Sequence, residues 1–489
     1  MTRTADAPQE AVAPSHHPTD HPVPGRSLSV LDVIAVVVGT VIGAGIFQMP
    51  SLVAGNVNGP WLYLGLWVAG GVVSVIGAMC YAELATAYPD AGGEYHFLHR
   101  AYGPAPAFLF AWARLSVIQT GSIALQAFIV GNYATEIYPI GGNRSPAIYA
   151  AITVAFFTAL NVAGVKQGKT TQKLLTLCEV TGVLLVIVAG IVAFSKFGAV
   201  EQVSSPAAPG EASSISLAAL GMGLVFVLYT YGGWNEAAYL SAEVKSGAKG
   251  MLWSLLGGIG LITLIYLLAN VSLVLGLGTQ AMAKSNAVAA DLMQRAGGEG
   301  WAKVLSVLVV IAAMSTVNAT VFTGARTNYA FGRDFGLFSA LGRWRAAGDT
   351  PVNALFAQGA IALVLVFIGS IWKGGENGVR SMVDYTTPVF WIFFLLTGLS
   401  VIVLRARDPG RSRPFRVPLY PVTPILFCLA CLFMLYSSLA YVRLYALSGV
   451  AVLAAGVPLL LFARSRPPFG AKDSQISPFP VIIGAKEGR

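Results

Sequence analysis

Apolar runs long enough to cross a bilayer recur along the whole of this chain. A hydrocarbon core takes roughly 20 apolar residues of helix to span. Twelve runs qualify, at about 30–55, 61–87, 105–137, 146–163, 172–195, 215–242, 252–276, 301–325, 354–372, 381–404, 419–440 and 444–463. Only 11% of the 489 residues are charged, where an ordinary soluble domain carries about 25%. Lipid offers no partner to backbone polar groups, so each run has to close its hydrogen bonds within itself, as a helix. The expected fold class is an all-α integral membrane protein with 12 transmembrane helices.

The net charge of +9 would suit a nucleic-acid binder, but its placement points elsewhere. Of the 31 Lys and Arg, 22 lie in the two tails and in every second loop. That asymmetry follows the positive-inside rule and puts both termini in the cytoplasm. The partner it implies is the membrane lipid, and no nucleic acid is expected. The tails, 1–27 and 465–489, are polar and lack the apolar core of a signal peptide. Their lack of a targeting segment fits a plasma or bacterial inner membrane. His16, His17 and His21 read as solvated rather than as metal ligands. Cys80, Cys178, Cys428 and Cys431 all fall inside spans, where thiols pack as small hydrophobes. No His-Glu-x-x-His, Gly-x-Ser-x-Gly or Gly-x-x-x-x-Gly-Lys-Ser/Thr motif occurs, so no enzymatic chemistry, ATP drive or cofactor is implied. The spans also lack the continuous polar lining of a channel.

Two runs carry glycine-rich interruptions: Gly43-Ala44-Gly45-Ile46-Phe47 in the first, and Tyr231-Gly232-Gly233-Trp234-Asn235 in the sixth. A broken helix survives in lipid only where protein or a water-filled cavity surrounds it. Each break is followed by four unbroken spans. Residues 28–200 and 214–405 thus form two five-helix halves, the second entering the membrane from the opposite side, with two further helices in 415–464. This is the inverted repeat of many secondary transporters, whose substrate sits at the paired breaks. At the first break the amides of Ile42, Gly43, Ala44 and Gly45 suit a carboxylate, and glycine allows close backbone approach. At the second, the carbonyls of Tyr229, Thr230 and Tyr231, with Gly232, suit an ammonium group. An α-amino acid carries both charges. The structural alternative is that these glycines only allow tight helix packing.

Several stretches resemble the amino acid–polyamine–organocation superfamily, and within it the L-type amino acid transporters. They are Val38-Gly-Thr-Val-Ile-Gly-Ala-Gly-Ile-Phe47, Cys80-Tyr-Ala-Glu-Leu84, Ala91-Gly-Gly-Glu-Tyr95, Tyr231-Gly-Gly-Trp-Asn235, Ser315-Thr-Val-Asn-Ala-Thr-Val-Phe-Thr323 and Arg413-Pro-Phe-Arg-Val417. The resemblance covers about residues 28–463. It implies a LeuT-like 5+5 inverted repeat with helices 1 and 6 broken, alternating access, and a neutral L-amino acid as substrate. It places Tyr229 at an aromatic gate and Asn235 beside the site. Some animal L-type transporters are disulfide-linked to an accessory glycoprotein through the loop between spans 3 and 4. Here that loop, residues 138–146, has no cysteine, so no disulfide-linked accessory subunit is expected.

Charges within spans are functional hypotheses by default, because insertion costs about 2.5 kcal/mol or more. Arg114 on span 3 and Glu179 on span 5 have opposite signs and are expected to pair. The resemblance implies an acid at the first position and a lysine at the second, so the signs are reversed. The family lysine argues for sodium independence. Here a carboxylate stands in its place, able to hold a proton or sodium, which keeps symport open beside exchange. Glu236 suggests a cationic amino acid or polyamine as the alternative substrate. Glu83 and Glu243, near cytoplasmic helix ends, are read as inner-gate or loop-anchoring contacts, paired for instance with Arg326 or Arg333. Asp384, at the start of span 10, is read as solvated.

Overall fold

The structure is a computed structural model that describes residues 29–90, 92–164, 169–198, 216–235, 247–345, 350–371, 378–442 and 444–463. The two tails, Glu236 and Glu243 lie outside the described residues. Secondary structure among those described is helical, with one isolated bridge between Arg345 and Thr350.

In chain order the α-helices are α1 (Val30–Val41), α2 (Gly45–Ala54), α3 (Pro60–Ala87), α4 (Glu94–Tyr102), α5 (Pro104–Ala113), α6 (Gln119–Ile137), α7 (Ser145–Val162), α8 (Lys169–Phe197) and α9 (Leu217–Thr230). There follow α10 (Gly247–Leu277), α11 (Thr279–Lys284), α12 (Val288–Gly297), α13 (Glu299–Asp334), α14 (Val352–Ile371), α15 (Gly378–Arg407), α16 (Val422–Val442) and α17 (Leu444–Phe462). Nine helical stretches among the described residues are long and apolar enough to cross a membrane. Leu and Ile side chains on α8, α10 and α14 point outward, as lipid-facing surfaces require. The chain is a multi-pass integral membrane protein.

Local signals set the helix ends. Ser29 and Asp32 form a capping box at the start of α1. Pro60 and Pro104 open α3 and α5, each after a glycine in the left-handed region. The first and sixth runs are interrupted where the glycines stand: α1 stops at Val41 and α2 starts at Gly45, and α9 stops at Thr230. Span 3 holds an interruption that the sequence reading did not anticipate. Residues Arg114–Ile118 form a π-helical turn between α5 and α6.

At one end of the molecule, Glu83 of α3 accepts from Arg405 Nε at 2.6 Å and from the Val417 amide at 2.6 Å, with Arg413 Nε at 3.6 Å. Tyr88 donates to Asp408 and Arg411 to the Ala87 carbonyl. These contacts clamp the end of α3 to the α15–α16 connection. They correct the expected pairing of Glu83 with Arg326 or Arg333. Asp384, expected to be solvated, is only 2% exposed. It sits between one and two turns into α15, below the helix end that the hydropathy pattern put in water.

Candidate functional site

The fold brings the two breaks face to face. A Cβ placed on Gly45 would lie 3.5 Å from the Thr230 Cα, so α2 and α9 touch through backbone at that point. Beside Gly43, by contrast, a Cβ would meet nothing within 4 Å. Gly45 thus packs against the second break in ordinary contact, whereas Gly43 borders open space. Ile42 is extended and ends α1 by donating to the Val38 carbonyl at 3.0 Å. The first amide to bond back into α2 is that of Phe47, on the Ala44 carbonyl at 3.2 Å. Between them stand the amides of Gly43, Ala44, Gly45 and Ile46, at a helix start where N–H groups lack intrahelical acceptors.

The second break is more occupied than its sequence suggests. The Tyr229 carbonyl already accepts from the Gly232 amide at 3.2 Å. The Thr230 carbonyl accepts from the Tyr266 hydroxyl at 3.1 Å, and the same hydroxyl lies 2.9 Å from the Val41 carbonyl. Tyr266, fully buried on α10, thus ties the ends of both half-helices together. The sequence reading missed it; its only signal was a single phenol within an apolar run, which needs a partner when buried. Tyr231 points away from the break: its hydroxyl donates to the Trp67 carbonyl at 3.0 Å, and its ring packs on Trp67 and Tyr266. Tyr229 stacks on Phe390 of α15, with centroids 5.9 Å apart and planes at 25°, and its hydroxyl bonds to Thr386. It joins α9 to α15 across the site.

Asn235, just past the second break, donates to Glu94 Oε1 at 3.2 Å. The other Glu94 oxygen lies 3.9 Å from Arg114 Nη1. Arg114 Nη2 bonds Gln119 at 3.1 Å, and Gln119 donates to the Thr320 carbonyl of α13 at 2.8 Å. A polar chain therefore runs from the second break through α4 and the π-turn to α13. The expected Arg114–Glu179 pair does not form. Arg114 meets Glu94 instead, and α13 packs against both α6 and α8. Glu94, the actual partner, lies in the Ala91–Tyr95 stretch but on a short helix between spans.

Glu179 is 7% exposed and, among the described residues, has neither an ion-pair nor a hydrogen-bond partner. It sits between Thr176, which packs at Gly39 of α1, and Gly182, where a Cβ would lie 2.9 Å from the Phe47 ring. It therefore faces the first broken helix.

The amino acid permease family model matches residues 28–454. Similar proteins include the b(0,+)-type amino acid transporter 1 of Mus musculus, 29% identical over 87% of this chain and 86% of the other. The cystine/glutamate transporter of Homo sapiens is 28% identical, covering 85% and 80%. The large neutral amino acids transporter small subunit 2 of Mus musculus is 27% identical, covering 89% and 80%. The chain belongs to the amino acid permease family of the amino acid–polyamine–organocation superfamily, on its L-type side, and is a transporter rather than an enzyme.

Proposed function

We propose that this protein carries L-amino acids across a cell membrane by alternating access, as a sodium-independent exchanger of neutral substrates. The observation that carries the reading is the meeting of the two breaks. Free amides adjoin open space at Gly43, and the carbonyl end of α9 lies against Gly45. In this reading the substrate carboxylate docks on the amides of Gly43, Ala44 and Gly45, the Ile42 amide being already bonded to the Val38 carbonyl. The ammonium group docks at the carbonyls of Thr230 and Tyr231, each of which keeps a lone pair. Tyr229 closes over the substrate, and its hydrogen bond to Thr386 exchanges as the site opens. Among the described residues, the nine long helices, the two interrupted runs and the shorter α17 fit twelve spans in a 5+5 inverted repeat, with both termini cytoplasmic. The protein works without a disulfide-linked accessory subunit, since its cysteines stand on spanning helices. The relatives transport amino acids, as their names state, and family membership favours the same for this chain.

A second reading is proton-coupled symport. It is favoured by Glu179, a buried carboxylate facing α1 and α2 with no cation paired to it among the described residues. A cationic substrate would draw on Glu236, outside the described residues. Uptake of labelled alanine, leucine and arginine into proteoliposomes separates these readings. Exchange predicts leucine or alanine uptake that rises sharply with unlabelled amino acid inside and ignores sodium. Uptake that needs no internal substrate and follows a pH gradient would replace exchange by symport. Uptake of arginine alone would overturn the neutral specificity.

A further inference from the structure

Away from the breaks, the described residues line a part-open cavity of about 500 Å³ between α5, the π-turn, α14, α15 and α17. That size falls within the range of roughly 300–1,000 Å³ in which proteins enclose ligands. Along α14 its wall runs from Ala360 to Ile368, about 12 Å at 1.5 Å per residue. The cavity is open on one side, and its lining residue Val364 is 56% exposed, on the same face of α14 as Phe367. In a membrane protein that face meets hydrocarbon.

The polar groups on the wall are satisfied from within the protein. The Ser116 hydroxyl donates to the Trp112 carbonyl at 2.7 Å, and the Tyr385 hydroxyl to the Ser116 carbonyl at 3.0 Å. The Trp112 indole N–H donates to the Val452 carbonyl at 2.8 Å, and Ser381 and Ser448 have partners too. Ordered water needs two to four polar partners, and this wall offers few. An empty void would leave apolar walls without dispersion contacts. The apolar phase at the mouth is the bilayer itself.

We infer that this cavity is an acyl-chain site, occupied by one hydrocarbon chain of a bilayer phospholipid that enters past Val364 and packs against Trp112. The chain would lie behind the π-turn. There it touches Tyr385, whose neighbour Thr386 is bonded to Tyr229. The site is thus a lipid contact at the joint between span 3 and α15. It does not depend on which substrate is carried, and its test requires no transport.

The full-length protein is reconstituted in phosphatidylcholine with plain chains and with chains brominated at their midpoint. The Trp112 contribution to emission is the difference between the parent protein and Trp112→Phe. Bromine quenches tryptophan at contact, so the expected result is a loss of half or more of the Trp112 emission in brominated bilayers. Ala360→Phe and Val364→Phe, on the lipid-facing mouth, plug the cavity with Trp112 intact. Each should restore the emission at least two-fold. Unquenched Trp112 would overturn the inference, as would quenching by aqueous acrylamide in its place. Equal quenching in the plugged variants would assign the bromine contact to lipid outside the cavity and overturn it as well.

Discussion

Charge removal at Glu94 tests whether the polar chain from Asn235 to α13 is a functional unit. Glu94→Gln keeps an oxygen to accept from Asn235 but removes the charge that faces Arg114. At 3.9 Å and an effective dielectric near 20, the gross attraction is about 4 kcal/mol. The side chains are 25% and 11% exposed, so the pair falls between a screened surface bridge and a fully buried one. A net coupling of about 1–2 kcal/mol follows, or roughly a 5–30-fold change in an equilibrium constant. The assay is a double-mutant cycle of Glu94→Gln and Arg114→Gln, read as unfolding free energy in mixed micelles of rising dodecyl sulfate content. Glu94→Ala, which also drops the Asn235 contact, should lose about 0.5–1.5 kcal/mol more than Glu94→Gln. A coupling below about 0.5 kcal/mol, the level of ordinary additivity, would refute the assignment of Glu94 as the partner of Arg114.

Tyr266→Phe removes one hydroxyl hydrogen shared by two buried carbonyls and should cost about 1–3 kcal/mol in the same unfolding assay. Parent-like stability would mean the two half-helices are not tied there. Gly45→Ala fits the 3.5 Å approach to Thr230 and should retain most uptake, whereas Gly45→Val should abolish it. Equal activity of both variants would contradict the backbone contact. Glu83→Gln leaves Arg405 and Arg413 facing a neutral group in a buried cluster, for a loss of about 3–5 kcal/mol seen as reduced thermal stability in detergent. His96, on α4 outside the spans, is held below its ordinary value of 6.5 by burial, against the opposing pull of Asp90 at 3.4 Å. Its neutral form is favoured on folding, so stability is full above about pH 6.5 and falls as the pH drops through the lowered value. In His96→Gln that acid-side decline should shrink, which pH-stepped thermal unfolding would detect.

The helices were legible because hydrocarbon thickness fixes their length and glycine marks where the first and sixth are cut. Which carbonyls stay open at the cuts was not legible. Tyr266 lies 36 residues after Thr230, and only the packing of α10 brings it to both ends. The π-turn was hidden for a related reason. Nothing local in Arg114–Ile118 announces a wider turn; its form goes with the Tyr385 hydroxyl reaching the Ser116 carbonyl from α15. Arg114 was given the wrong partner because opposite sign and nearness in chain order do not fix which helices meet in space; its carboxylate comes from Glu94. Glu94 was overlooked as a partner because it stands on a helix of nine residues, too short to register as a span.

The strengths of these contacts sort by what alternating access would ask of them. In that scheme one group of helices rocks against another around a fixed site. Tyr266 binds α10 to α1 and α9 through a fully buried hydroxyl set on two carbonyls, an arrangement that in such a scheme would keep the two broken helices together. The link from Asn235 to the helices on the far side runs instead through a 3.2 Å hydrogen bond and a part-exposed ion pair at 3.9 Å. Water can replace both limbs of that link at modest cost. A contact worth about 1–2 kcal/mol holds one state closed yet lets the other be populated, since a minor conformer at 0.1–10% needs a gap of only a few kcal/mol. Replacing this link by a buried bidentate pair of the Glu83–Arg405 kind would freeze the cycle. The weak geometry at Glu94 is therefore what a moving joint requires, and the strong one at Tyr266 what a rigid unit requires.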